Sequence, residues 1–556
     1  MRAVRDSLRT AARCNGQTIT QIDVRPQPPN FGGIFDRSRF LADMVSVLHM
    51  TTRPEVVRRF LLLEEGQPCI ELRRAESERI LRSQRYLADA RISVFPDGDG
   101  VRLDVYVVDE ASTIIAGSVQ GPSPRPTALK LGNANVAGQG IYATGEWREG
   151  FYYRDGYGLD FRHPQVFGRP YQLSVGATRH DIGQEWDAEL SHPFLTDLQR
   201  IAWRVNVGST ESFLRFLRET GTTPSMSSRR DYADVGGIVR IGVPGQLSLF
   251  GISFTRERER SGLLPQVISD TGRYVDTSAF AAFQHRYRNY EGARVNALWG
   301  VRNIRFARVS GFDALTGPQD VRVGMQFGTV LGRSLSVIGS SDDDIFVSTD
   351  LYAGMGSRKA FAALQVQGEG RQDGNTNRWD GVLAGGRFAW YIKPAVEHTV
   401  IASIDYGGGW RQRLPFQLTL RDIEGGIRGY RGSQVGGAQR LVGRLEERWM
   451  MGRPRALGDA GLALFADAGR LWGGDAPFGV DTRMKTGVGF GLLAAVPPRS
   501  RRVYRVDLAF PVSPDAHAKW EVRFTTGDFT RTFWTEPDDL NRGRERTVPT
   551  SVFTWP

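Results

Sequence analysis

From Ser112 almost to its end, for more than 400 residues, the chain repeats short segments in which apolar and polar residues alternate, and this period of two decides what it can become. In "DVRVGMQFGTVLG", Val321, Val323, Met325 and Phe327 share one side, and Arg322, Gly324, Gln326 and Gly328 share the other. "TVIASIDYGGGW" sets Val400, Ala402, Ile404 and Tyr406 against Ser403 and Asp405. "VYRVDLAFPV" sets Tyr504, Val506, Leu508 and Phe510 against Arg505 and Asp507, and "WEVRF" sets Trp520, Val522 and Phe524 against Glu521 and Arg523. A strand sends successive side chains to opposite faces, so each segment makes one apolar face and one polar or empty face. No apolar run approaches the ~18 residues that a membrane-crossing helix requires. Helical spans are thereby excluded.

A soluble sandwich also alternates, so the period alone leaves open whether water or lipid lies outside. Two features favour lipid. The non-apolar positions carry full charges or glycine, which a dry core rejects because an unpaired buried charge is costly. Tryptophans recur near segment ends, at Trp203, Trp299, Trp410, Trp449 and Trp472, as in the interfacial girdles of membrane barrels. The expected fold is mainly β, a transmembrane antiparallel β-barrel. At about 27 residues per strand with its loop, roughly 440 residues give about 16 strands, an even number as bacterial barrels require.

The beginning of the chain reads differently. "TITQIDV" (18–24) predicts a strand, "RPEVVRRFLLLEEGQPC" (53–69) opens as a helix with Pro54 in its first turn, and "IELRRAESERILRSQRYL" (70–87) predicts a second helix with Leu72, Ile80 and Leu87 on one stripe. The period then returns to two. Val101, Leu103, Val105 and Val107 line one face, and "DGDG" (97–100) supplies a hairpin turn. This β-α-α-β-β order predicts a small α+β domain over 17–112, after an N-terminal segment 1–16 and before a barrel over 113–534 and a C-terminal extension 535–556.

Composition narrows the function further. The net charge of +11 is spread among acids, as in "FTRERERSG" (254–262), so it points to solvated faces and not to a nucleic-acid groove. Cys14 and Cys69 exclude a disulfide scaffold or a multi-cysteine metal site, and they either pair or stay free. The seven histidines have no ligand spacing, so no metal and no cofactor is expected. "SSDDD" (340–344) reads as a solvated loop in preference to a calcium site. No nucleophile elbow, HExxH or Walker loop occurs, and the chain is not expected to be an enzyme. The start "MRAVRDSLRTAARCNG" lacks the apolar core of a secretory signal, which, beside a barrel, predicts a truncated or misassigned start.

Between Arg421 and Trp449 lies "RDIEGGIRGYRGSQVGGAQRLVGRLEERW", rich in arginine and glycine. "GGIRGYRG" followed by "RLEERW", "LFADAGRLW", "GVGFGL" and "RVDLAFPV", behind a β-α-α-β-β unit, resembles the outer-membrane assembly superfamily of BamA and TamA, the bacterial surface antigen family. The order of these segments carries the resemblance. It implies that Ile427, Arg428, Gly429 and Tyr430 form a tetrad on a loop folded back into the lumen. The inner-wall partners implied are Phe465, Asp467 and Gly469 of the FxDxG segment, and Glu446. Parity agrees, because Leu462, Leu464, Ala466 and Ala468 then face lipid while Phe465 and Asp467 face inward.

The same resemblance makes the first domain a single POTRA-like unit in the periplasm, whose open sheet edge adds an unfolded client strand. It makes "LGNANVAGQG" (131–140) the first barrel strand and "KWEVRFTTGDFTRTFW" (519–534) the last. A lateral gate then lies between Gly132 and Asn133 on one side and Gly527 on the other. The implied function is insertion or translocation of β-rich clients at the bacterial outer membrane. The alternatives are a two-partner secretion translocator and a passive pore or surface antigen. The implied partners are unfolded outer-membrane or secreted β-rich proteins, outer-membrane lipids and periplasmic accessory proteins, with no nucleic acid.

Overall fold

The computed structural model describes residues 12–29, 50–120, 125–150, 154–180, 182–269, 272–284, 286–287, 289–374, 376–454, 458–513, 518–528 and 536–544. The N-terminal domain comprises β1 (Asn15–Gln27), α1 (Pro54–Arg58), β2 (Pro68–Ile70), α2 (Glu71–Ser83), β3 (Leu87–Asp97) and β4 (Gly100–Asp109). Its sheet has the order β2-β1-β4-β3, with β1 parallel to β4 and β3 antiparallel to it. Asp97 faces Gly100 across a two-residue turn in which Gly98 takes φ +57°, a left-handed conformation that glycine adopts without strain. Val101, Leu103, Val105 and Val107 are buried together with Ile80 and Leu81 of α2.

Both helices are shorter than the sequence suggests, and the stripe differs. Leu87 belongs to β3 and Leu72 is exposed. The reason is that α2 has two partners. One side covers the sheet, and the other, with buried Arg79 and Arg82, meets the barrel. Cys14 and Cys69 form a disulfide, tying the start of β1 to β2. It closes a separation of 55 residues, for which chain entropy gives about 4 kcal/mol of stabilisation. Dithiothreitol is therefore expected to make this domain, and not the barrel, protease-sensitive in detergent-solubilised protein. Equal digestion with and without reductant would contradict that.

The β3 edge of this sheet is engaged within its own domain. On β3, the Ile92 N–H donates to Glu78 (3.4 Å), its carbonyl accepts from Arg74 (3.0 Å), and the Val94 carbonyl accepts from the Ala12 N–H (3.0 Å). Side chains of α2 thus occupy groups that an added strand would need.

The barrel begins at Thr113. Among the described residues, twenty strands go round, each antiparallel to the next, and Thr113–Gln120 lies beside Glu521–Asp528 to close the ring. A hairpin of Gln266–Ser269 and Gly272–Val275 projects beyond this wall, where Gln246–Ser261 pairs directly with Tyr290–Ser310. The count exceeds the expected sixteen because the first strands are short and tightly joined. Turns 137–140, 167–170 and 244–245 contain few residues, so a repeat of about 27 is too long there.

Alternation becomes an outside and an inside. Leu159, Ile252, Leu331, Ile404 and Leu464 are each more than half exposed on the outer surface, while Arg322, Gln326, Ser403, Arg505 and Asp507 are buried on the inner one. A continuous apolar exterior of this kind is stable only against lipid. Trp203, beside Tyr171, and Trp449, beside His398, sit at the end nearest the N-terminal domain, and Trp410 and Trp472 end their strands at the far side. Trp299 does not end its strand. It lies half-way along the 21-residue strand Tyr290–Ser310, with its ring 5.7 Å from Phe327.

The N-terminal domain covers one mouth. Arg82 forms a bidentate pair with Asp320 (2.8 and 3.0 Å), and Arg308 pairs with Asp89 (2.8 and 3.0 Å). Arg501 donates to the carbonyls of Gln84 and Leu87, both at 2.6 Å, and Asn135 to Met50 and Thr52, both at 2.9 Å. Phe194 and Leu195, on a turn of the barrel, join the apolar core of this domain.

Candidate functional site

The connection between His398–Trp410 and Gln439–Gly452 runs over 411–438 and folds into the lumen. Its apolar side, with Phe416, Leu418, Leu420, Ile427 and Tyr430, packs on Val442 and Leu471 of the wall. A small hairpin, Leu418–Thr419 with Gly436–Gly437, fixes its base. Gly429 adopts φ +92°, and a Cβ there would also stand 3.2 Å from Pro511, so the tetrad requires glycine at this position.

Arg428 is held on every side. Its Nε and Nη2 donate to the two oxygens of Asp467, both at 2.7 Å, its Nη1 donates to Glu446 at 2.9 Å, and its backbone N–H donates to Asp467 at 3.1 Å. Its guanidinium lies 3.6 Å from the ring centre of Phe465, a stacked cation–π contact. Tyr430 donates its hydroxyl to the Thr486 carbonyl at 2.9 Å. The wall is hollowed to receive these groups. A Cβ at Gly487 would fall 2.3 Å from the Arg428 carbonyl oxygen, one at Gly489 2.6 Å from the Phe465 ring, and one at Gly469 3.1 Å from Ile427. All eight residues of the expected tetrad and inner wall therefore meet.

Sequence reasoning missed the rest of the network. Arg505 donates to both oxygens of Glu446 at 2.8 Å and to Asp507 at 2.7 Å, and Arg448 donates to Glu446 at 2.7 Å. Three arginines thus face three carboxylates in a buried cluster, which satisfies the requirement that buried charges be matched. The available signal was that Arg505, Asp507 and Arg448 share inward parity with the residues already chosen. Arg448 also donates to the carbonyls of Phe312 and Asp313, on the turn that follows the strand carrying Arg308. The loop further touches the last strand, through Arg431 N–H to Glu521 (3.2 Å) and Asp422 to Arg523 (3.4 Å).

The expected gate residues are not brought together. Gly132 and Asn133 lie on the second barrel strand, Arg125–Val136, opposite Ile114 and Thr113. The strand beside Glu521–Asp528 is Thr113–Gln120, which the sequence reading assigned to no strand. Gly527 lies on the last strand, opposite Val503, and 529–534 fall outside the described residues. Among the described residues the two seam strands have eight residues each, and Arg502 donates to the Thr113 carbonyl at 2.9 Å near their end. The acids of "SSDDD" are engaged by arginines: Asp342 and Asp344 by Arg413, Asp344 also by Arg371, and Asp343 by Arg333.

No protein-family model matches the sequence, and no curated protein matches it significantly. Among solved structures, the chain is similar to BamA from Haemophilus ducreyi lacking POTRA domains 1-3, at 11% identity and a TM-score of 0.38, over 92% of this chain and 85% of that one. It is similar to CdiB from Escherichia coli at 12% identity and a TM-score of 0.41, over 92% and 76% of the two chains. For CdiB from Acinetobacter baumannii the values are 11%, 0.38, 92% and 74%. These are likenesses of fold.

Proposed function

We propose that the chain is a bacterial outer-membrane protein that helps β-rich clients enter or cross the membrane, with its N-terminal domain, read as POTRA-like, in the periplasm. The observation that carries this reading is the docked Arg428, because the tetrad, the FxDxG segment and Glu446 converge as the resemblance implies. The apolar exterior fits an outer-membrane setting. The Cys14–Cys69 disulfide suits an oxidising compartment.

Client contact is placed at the seam between Thr113–Gln120 and Glu521–Asp528. These two strands close the ring, and an unpaired strand edge offers backbone groups to any client without regard to sequence. The Arg428 loop braces the neighbouring wall and touches the last strand at Glu521 and Arg523. Release of this loop would loosen the same edge. A chain of contacts from Arg428 through Glu446 and Arg448 to the turn beside Arg308 and Asp89 gives the N-terminal domain a physical route to the loop. Client folding itself supplies the driving force.

Reconstitution into liposomes tests the reading. Unfolded barrel clients added outside are expected to fold faster with the protein than with empty liposomes, and slower again with Arg428→Ala. Passage of a single secreted passenger without any gain for other barrels would instead identify a secretion translocator, and ion conductance alone would reduce the protein to a pore.

A further inference from the structure

The lumen holds a second docked segment, and it comes from the other end of the chain. Residues 536–544, including the short helix Asp538–Gly543, lie inside the barrel against three parts of its wall. Asp539, buried, accepts from Arg440 Nη1 (2.5 Å) and Nη2 (3.0 Å) and from the Thr419 N–H (3.4 Å). The same Arg440 donates to the Thr419 carbonyl at 2.7 Å, so one guanidinium serves both the C-terminal segment and the arginine loop.

Leu540 is buried among Leu383, Phe416 and Leu418. Its recess is cut into the wall by two glycines that face each other on adjacent strands, Gly385 and Gly407. A Cβ at the first would lie 2.9 Å from a Leu540 methyl, and at the second 3.3 Å. Four residues on, Arg544 pairs with Glu369 at 3.2 Å and with Glu536 of its own segment, while its carbonyl accepts from Arg230 at 2.6 Å. Arg542 stands 3.5 Å from Glu424 of the loop. Beside the segment remains a cavity of 310 Å³ lined by Tyr157, Thr178, Phe213, Arg230, Phe416 and Asp539.

We propose that the lumen carries a peptide-binding site for a segment with a carboxylate, a leucine next to it and a cation four residues further, and that the chain's own C-terminal segment is its resident ligand, closing the passage. A segment that merely rested in a wet channel would need no glycine-cut recess and no charges matched on two wall strands and on the loop. Arg440, nearly buried, would be left without a carboxylate if the segment withdrew, so the docked state is favoured and release needs a competitor. This holds whether the barrel inserts, secretes or conducts.

The test is conductance in planar bilayers, with heat-modifiable gel mobility confirming a folded barrel in each sample. Deletion of 536–556 is expected to raise single-channel conductance several-fold, and the synthetic peptide EPDDLNRGR to lower it again, while the same peptide with Asp539→Asn does not. In the full chain Asp539→Arg is expected to raise conductance and Arg440→Asp added to it to restore closure. Should Asp539→Arg fail to fold, the deletion and the peptide still decide. Wild-type conductance in the deletion variant, or a peptide without effect on it, overturns the proposal.

Discussion

Arg428→Ala is expected to lower the temperature at which the barrel unfolds on a gel and to slow client insertion in the same measure. Asp467 is 2% exposed and receives three donors from Arg428, the guanidinium fork and the backbone N–H. Truncation leaves this carboxylate in place without its cation, which costs about 3–5 kcal/mol for a buried pair. Glu446 suffers less, because Arg505 and Arg448 remain on it. Lysine at the same position restores a charge but neither the two-pronged contact nor the stacking on Phe465, so Arg428→Lys is expected to fall between alanine and the native residue. The double variant Arg428→Ala with Asp467→Asn is expected to cost less than the sum of its parts, since the second change removes the stranded charge. Wild-type unfolding temperature and activity in Arg428→Ala would remove the docking role altogether.

Gly487→Val is expected to do similar damage without touching a charge. Its first side-chain atom would stand 2.3 Å from the Arg428 carbonyl oxygen, and that neighbour is backbone, so one of the two must move. Overpacking of this kind costs about 1–3 kcal/mol by itself. If the loop yields, the guanidinium leaves Asp467 and the larger ionic cost follows. Gly443→Ala on the strand Gln439–Gly452 is the control. There the nearest atoms are 4.0 Å away, and a change within about 0.5 kcal/mol is expected. The comparison is read by melting both variants on gels and by limited proteolysis of 411–438. A loop that stays protected in Gly487→Val, with native melting, would mean that the wall glycine is not what admits it.

Much of the site was legible because the information is local. Parity along a strand tells which residues look inward, so the spacing agreed with Phe465 and Asp467 once the resemblance had pointed to them, and Arg505 and Asp507 shared one parity. The seam was misplaced for a different reason. Thr113–Gln120 is short, and its apolar content resembles a linker as much as a strand. Only its pairing with Arg125–Val136 and its place beside Glu521–Asp528 give it a role. The engagement of the β3 edge was equally invisible, since the groups that meet it come from α2 and not from the strand itself.

What the sequence determined by itself was the alternation, and with it a wall that has an apolar side and a polar side. The resemblance of its segments supplied the arginine tetrad and the acids expected to receive it. The tertiary structure decided how many strands close the ring, which two meet at the seam, and that the C-terminal segment turns back inside. Alternation is set by the geometry of one strand, whereas closure depends on register summed around the whole ring. The destination of a terminus depends on partners such as Arg440 and Asp539, 99 residues apart, whose match is defined only once the wall between them exists.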